Sequence, residues 1–268
     1  MTADPFESFK ASQREVWKSF APLAQATTPT AARLVHFAGV RPGQKVLDVG
    51  CGTGVVVITA RRAGAVVTGV DLTAALLAVA KENAAIAHLD DIVWKEGDVE
   101  ALPFRDGEFD VVLSQFAHIF APRPELAIKE MLRVLKRGGV IAFHTWPPEL
   151  LFGRVFAVVS RYMPPTPDPK PAPPSQWGDP TIVLQRLGTA VRDVTFDRGV
   201  QVTPALSPEH YRHQLEQSGG PMVRLLQTLK DDPARLAEFR REYDAIVSEY
   251  FDRNVVSQGF LATRAVKA

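Results

Sequence analysis

Three acids and one run of glycines are the residues of this chain whose spacing could do chemistry. In VLDVGCGTGVV (46–56), Asp48 stands just ahead of Gly50, Gly52 and Gly54, which alternate with small residues. An apolar run feeding such a turn lets backbone come close to a ligand. A dinucleotide fingerprint, G-x-G-x-x-G, needs its third glycine at position 55, which is Val55. A phosphate loop needs Gly-Lys-Ser/Thr, and no lysine lies between residues 46 and 80. A carboxylate at Asp48 repels a pyrophosphate but suits an ammonium group or hydroxyls. Asp71 and Asp98 close two further apolar segments, VVTGVD and VWKEGD. The first can accept from both hydroxyls of a ribose, and the second from an adenine amino group.

The elements that must hold these acids alternate in type. Apolar, β-branched runs at 44–50, 65–72, 91–98, 109–116 and 140–146 read as strands. Helical patterns at 54–64, 73–89 (Thr73 as N-cap) and 124–139 lie between them, the last with a cationic end and a glycine stop. This order implies right-handed crossovers and a parallel sheet covered on both faces, with ligands beyond the carboxyl ends of the strands. The expected fold is α/β, Rossmann-like and doubly wound, with a mostly parallel seven-stranded sheet and a helical insertion near the C-terminus. As a single domain it divides into N-terminal helices or lid (1–43), a cofactor-binding core (44–146), a substrate lid and helical insertion (147–258), and a last strand (259–268). Helices are expected at 9–24, 147–163, 181–190, 207–219 and 232–253, and a strand at 191–203. The proline-dense 164–174 reads as an extended loop, ordered or mobile.

Acids at three successive strand ends, without a phosphate-binding cation, describe an adenosine with a positive appendage: S-adenosylmethionine (SAM). The blocks VLDVGCGTG (46–54), VTGVDLT (67–73), EGDVEALPFRDGEFDVVLSQFAHIF (96–120) and AIKEMLRVLKRGGVIAF (127–143) together resemble class I SAM-dependent methyltransferases. Within them the similarity is to the small-molecule group that includes ubiquinone and menaquinone biosynthesis methyltransferases. The family commonly has Lys-Pro-Gly-Gly where this chain has Lys136-Arg137-Gly138-Gly139. The resemblance implies that Gly50 and Gly52, with Cys51 and Thr53 in the same loop, admit the methionine part, and that Asp48 orients its amino group. It implies that Asp71 takes the ribose hydroxyls and Leu72 packs on the adenine. Gly97, Asp98 and the Val99 amide would meet the adenine edge, and the Ser114 carbonyl the methionine end. The product would be S-adenosylhomocysteine (SAH).

Each residue also has a plainer reading. The glycines could serve only helix–strand packing, Asp98 only a turn, and Cys51 reads as a packing residue rather than a nucleophile. Methyl transfer from a sulfonium is an in-line displacement that needs alignment and exclusion of water, and a base only where the acceptor must lose a proton. His118, after the fourth strand, is the candidate base or else a packed histidine; His144, inside the fifth, reads more readily as core. His210 and His213 lack a third ligand, so no metal site is expected. Trp17, Phe116, Phe120, Trp146, Phe152 and Tyr162, with Trp177, are candidates for an aromatic acceptor pocket or for core. Trp17, Phe20 and Leu23 recur at helical spacing, as a lid or as packing.

Composition narrows the partners. Lysine and arginine total 31 against 30 acids, giving net charge +1, and the basic runs are short. A nucleic-acid partner is not expected; a small-molecule acceptor is. One cysteine excludes a disulfide framework. Neither a signal peptide nor a transmembrane stretch is read, so a cytoplasmic location is the expectation. Two rival functions keep the cofactor: a transferase of another SAM-derived group, and a catalytically silent SAM-binding module. An NAD-linked dehydrogenase fails on Val55 and Asp48. The acceptor atom and oligomeric state are left open.

Overall fold

β-Branched runs and alanine-rich helices alternate through the first half of the chain, and their order dictates the sheet. In the computed structural model, which describes residues 4–165 and 168–268, β1 (Lys45–Val49), β2 (Val66–Asp71), β3 (Val93–Glu96), β4 (Phe109–Gln115) and β5 (Leu135–Thr145) are parallel. The remaining strands are β6 (Val191–Pro204), β7 (Phe251–Asp252) and β8 (Val255–Lys267). The strand path is β3-β2-β1-β4-β5-β8-β6, with β8 antiparallel to both neighbours and β7 a stub paired to β8. The mostly parallel doubly wound sheet is as expected, with that stub added as an eighth strand.

The crossover helices are α4 (Val55–Arg62), α5 (Ala74–Ile86) and α6 (Pro124–Val134). N-terminal α1 (Glu7–Trp17), α2 (Ala21–Ala24) and α3 (Thr28–Phe37) precede β1. After β5 come α7 (Leu151–Tyr162) and α8 (Pro180–Leu187), and between β6 and β7 lie α9 (Pro208–Ser218), α10 (Gly220–Leu229) and α11 (Pro233–Ser248). Two apolar clusters cover the two faces of the sheet, centred on Leu47, Val112, Ile141 and Phe143, and on Leu34, Val46, Val57 and Val111. A third cluster, around Val155, Tyr211, Leu225, Phe239 and Tyr243, holds the helical cap together. No helix among the described residues is long and apolar enough to cross a membrane.

Several sequence boundaries move, each for a local reason. The helix expected at 9–24 breaks after Trp17, because Pro22 has no amide and crowds the preceding turn. The helix expected at 124–139 ends at Val134. There the Gly107 and Glu108 amides donate to the carbonyls of Arg133 and Val134, and Leu135 pairs with Phe109. The cationic tetrad 136–139 is therefore a strand irregularity, with Gly138 at φ +71°. The last strand begins at Val255 rather than 259. Arg253 and Asn254, both at positive φ, form a two-residue hairpin turn between β7 and β8, and α11 stops earlier, at Ser248. Helix α10, absent from the sequence reading, starts within Gly219-Gly220-Pro221. A Cβ at Gly220 would lie 2.9 Å from the Trp17 indole, so the glycine permits α10 to close on α1. Thr73 occupies the N-cap of α5 without a side-chain cap bond; instead Asp71 Oδ1 accepts from its amide at 2.8 Å. Of the proline-dense 164–174, positions 166 and 167 lie outside the described residues, as do positions 1–3 of the N-terminal segment read for a signal peptide.

Candidate functional site

The turn after β1 is held by β2. Gly50 and Cys51 both donate their amides to the Val70 carbonyl, at 2.8 and 3.0 Å, and Gly52 donates to Asp71 Oδ2 at 2.8 Å. Gly50 has φ +70°, and a Cβ there would overlap the Cβ of Ala117. Gly52, at φ +53°, has nothing within 4 Å of its Cβ position, so this backbone faces open space. Such a cradle suits close approach by a ligand.

Asp48 sits under that turn, 2% exposed, and neither carboxylate oxygen has a partner. Burial, and secondarily the Asp71 charge, holds its pKa well above the usual carboxylate range. A buried acid without a cation calls for a positively charged ligand. Asp71 is buried as well, and desolvation raises its pKa against the amides of Thr73 and Gly52. One amide on each oxygen leaves a further lone pair on both for hydroxyls. Burial first, then Asp71 and Asp48, drives the Cys51 thiol well up, so it is no nucleophile.

Asp98 stands where expected, but α1 reaches it. Lys10 Nζ lies 2.6 Å from Asp98 Oδ2, 2.7 Å from Asp4 Oδ2 and 2.7 Å from Glu100 Oε2. Burial opposes the Lys10 charge, but hydrogen bonds to the three carboxylates outweigh it and raise the pKa. Arg123 completes the cluster, donating to Glu100 through its amide at 2.7 Å and its guanidinium at 2.5 and 3.0 Å. Asp4, Asp98 and Glu100 have the spacing of metal ligands, but the ammonium of Lys10 contacts all three. Gly97 ties the ends of β3 and β2 by donating to the Asp71 carbonyl. His210 and His213 do not converge: the first accepts from the Leu206 amide and the second meets Gln217.

One cavity of about 260 Å³ joins these residues to an aromatic wall. Asp48, Gly50, Cys51, Gly52, Thr53, Asp71, Leu72, Gly97, Asp98 and Val99 border it, as do Trp17, Phe116, Phe120, Trp146 and Phe152. Phe116 stacks on Trp146 with centroids 3.8 Å apart. It holds φ +58°, a strained conformation for a phenylalanine that aims the ring off the end of β4. Trp17 and Phe20 close the other side, Trp17 lying 4.9 Å from Phe120.

Ser114 and Tyr162 lie off the cavity, and His118, His144 and Trp177 are packed among aromatic rings. Ser114 is fully buried behind the cavity wall, its hydroxyl donating to the Val49 carbonyl at 2.7 Å and accepting from the His118 amide. Tyr162 belongs to the cap, packed on Phe239 and donating to Glu242 at 2.7 Å, because α7 turns that face toward α11. His118 borders the cavity, yet its ring packs edge-on against Phe143 and Trp177 with both nitrogens buried and unpartnered. His144 lies off the cavity between Phe116 and Phe260. Desolvation lowers both imidazoles to a pKa of about 3, so neither takes up a proton readily near neutrality. Trp177 is likewise core, with the Arg186 guanidinium over its ring.

Sequence reasoning missed Lys10, Gln115, Gln201, Thr203 and Gln258, all on the cavity wall. Lys10 carries no local signal for this place, since Asp98 and Glu100, two of its three partners, are remote in sequence. The β6 residues do carry one: in GVQVTP the polar residues alternate with valines, a period that assigns them together to one face.

Comparison with known proteins agrees with this geometry. Residues 47–143 match the family model of a methyltransferase domain. An uncharacterized protein of Mycobacterium tuberculosis is 34% identical over 96% of this chain and 94% of its own length. The demethylmenaquinone methyltransferase of Staphylococcus aureus is 38% identical over 50% of this chain and 56% of its own. The solved structure of Haemonchus contortus phosphoethanolamine N-methyltransferase 2, in complex with SAM, shares the fold at TM-score 0.54 and 18% identity. That match covers 89% of this chain and 52% of the other.

Proposed function

The chain belongs to the class I SAM-dependent methyltransferases, and from that premise we propose that it methylates a small molecule held against Phe116, Phe120, Trp146 and Phe152. The observation that carries this reading is the shared cavity: an unpartnered buried carboxylate, Asp48, opens into the same space as the aromatic wall.

The residues present fit the cofactor. Asp48 supplies a counter-charge for an ammonium group, and the Gly50–Thr53 turn admits the amino-acid tail. Asp71 accepts from the ribose hydroxyls, and Leu72 flanks the adenine. Asp98 and the Val99 amide, with Gly97 keeping the strand ends in line, read its edge. When bound, SAM supplies a methyl group on a positively charged sulfur. The chain's part is then to orient, and to exclude water: the aromatic rings align the acceptor, and their faces favour the cation. His118 and His144 act in packing, so an acceptor that must lose a proton loses it to solvent or to a neighbouring group of its own.

Transfer of an anionic group such as carboxymethyl would call for a free cation beside the acceptor. Among the described residues, Lys10 is the only lysine or arginine on the cavity wall, and three acids engage it. Calorimetry with SAM and SAH tests the cofactor half, with Asp71→Ala expected to weaken binding at least tenfold. Absence of SAH binding at millimolar concentration overturns the reading. Methyl transfer from labelled SAM to a panel of uncharged aromatic acceptors separates an enzyme from a silent module.

A further inference from the structure

Strand β6 is built inside out over its last turn of pleat. Val200 and Val202 face solvent at 57% and 49% exposure, while Gln201 and Thr203, on the alternate face, are buried at 7% each. Gln258 of β8, the partner of Gln201 across the ladder, is 2% exposed. Two exposed valines exchanged for buried amides and a hydroxyl work against stability, and such local inconsistencies mark functional positions.

These groups form one uncharged network along the sheet side of the cavity. Gln201 Nε2 donates to Gln258 Oε1 at 2.9 Å, and Gln258 Nε2 to Thr203 Oγ1 at 2.6 Å. At the end of β4, Gln115 Nε2 donates to the Thr27 carbonyl and to Thr30 Oγ1, at 2.9 and 3.1 Å. Thr30 gives its proton to the Thr27 carbonyl at 2.7 Å, which leaves Gln201 Oε1 only a 3.3 Å contact with that hydroxyl. Gln115 Oε1 is buried with no partner at all. Gln201 and Gln258 each keep a second N–H, and Thr203 keeps its hydroxyl proton. The network therefore offers spare acceptors and spare donors, and no charge.

The network runs from beside the acids away across the sheet. Asp48, Asp71 and Asp98 stand at β1, β2 and just after β3; Gln115, on β4, is one strand beyond β1, and Gln258 is three, about 14 Å across the sheet. The opposing wall is aromatic and aliphatic, from Phe116, Trp146, Phe152 and Val155.

We propose that Gln115, Gln201, Thr203 and Gln258 are the polar anchor of the acceptor half-site, and that the acceptor is an uncharged, flat, largely apolar molecule presenting a hydroxyl or N–H group to Gln115 Oε1. A carboxylate or phosphate meets no free cation there, and an ammonium no free acid, so charged acceptors are rejected by desolvation without repayment. This assignment rests on the methyltransferase reading, which supplies the other half of the cavity.

The test uses the full chain saturated with SAH, titrated by ligand-observed NMR with four probes of one shape: indole, N-methylindole, an indole-carboxylate anion and the tryptamine cation. Indole is expected to bind about tenfold more tightly than the other three, the worth of one well-made hydrogen bond in a dry site. Gln115→Leu is expected to erase the preference of indole over N-methylindole, and Gln201→Glu to move the preference toward tryptamine. SAH affinity, measured on each variant, reports that the fold and the cofactor half are intact. Equal binding of indole and N-methylindole to the unaltered chain overturns the proposal. So does tighter binding of either charged probe, an unchanged preference in both variants, or no probe binding to a chain that does bind SAH. A chain that binds no SAH removes the methyltransferase reading itself, and the acceptor assignment with it.

Discussion

Lys10→Met would remove the ammonium that ties α1 to Asp98 and Glu100, while leaving an apolar stem of similar length. The Lys10 and Glu100 side chains are 5% and 1% exposed, the setting in which loss of one partner costs about 3–5 kcal/mol. Glu100 keeps Arg123, however, through the guanidinium and the backbone amide, which lowers that share to about 1–2 kcal/mol. Asp4 and Asp98 are 29% and 23% exposed, so their pairs are worth about 0.2–1 kcal/mol each. The expected loss is about 1.5–4 kcal/mol, read as a lower urea midpoint at unchanged m-value. In a chain of this size it corresponds to a melting temperature lower by about 5–12 °C. Adding Asp98→Asn to Lys10→Met should recover about 0.5–1 kcal/mol, because it relieves like charge against Glu100. The cluster also gives an acid limb to stability. Asp4 is held down to about 2, chiefly by its bond to Lys10, so its share is present above 3.8 and lost as pH falls through about 2. A Lys10→Met midpoint within about 0.5 kcal/mol of the parent, with protease resistance of α1 unchanged, refutes the view that this ion cluster secures the lid.

Asp48→Asn should raise the stability of the ligand-free chain by about 1–3 kcal/mol at neutral pH while weakening SAH binding, since it removes a buried carboxyl whose oxygens have no partner. The sign with pH follows from the raised pKa: the Asp48 penalty grows as pH rises from 3.8 up to that pKa and is constant above it, and the asparagine variant should flatten this fall in urea midpoints. Gly50→Ala should destabilise by about 2–4 kcal/mol in thermal melts, combining a left-handed residue with overlap on Ala117; a melt unchanged from the parent contradicts the cradle. His118 and His144 are held neutral to about 3, so the unfolded chain gains protons first. Their share of stability is full above 6.5 and falls as pH drops from there toward 3, and His144→Leu should reduce that slope by one proton.

The core of the site was legible before any coordinates because its determinants are local. A strand, a glycine turn and a helix recur at fixed spacing, so Asp48, Asp71 and Asp98 had to arrive at neighbouring strand ends once the sheet was parallel. Boundaries were legible less well. Pro22, the tetrad at 136–139 and the Arg253-Asn254 turn each ended an element through a neighbour that periodicity cannot weigh.

What the chain alone determined is thus the glycine turn and the alternation of strands and helices, where hydrogen bonds and φ angles are set within a few residues. What only tertiary structure decided is everything assembled across long separations. Lys10 meets Asp98 and Glu100 because α1 folds back over the strand ends. Gln115, Gln201 and Gln258 share one wall because β8 runs antiparallel between β5 and β6. Titration followed the same division: position alone left His118 open as base or packed residue and favoured core for His144, whereas burial among aromatic rings lowers the pKa of both. Desolvation depends on what surrounds a side chain in space, and sequence order does not record it.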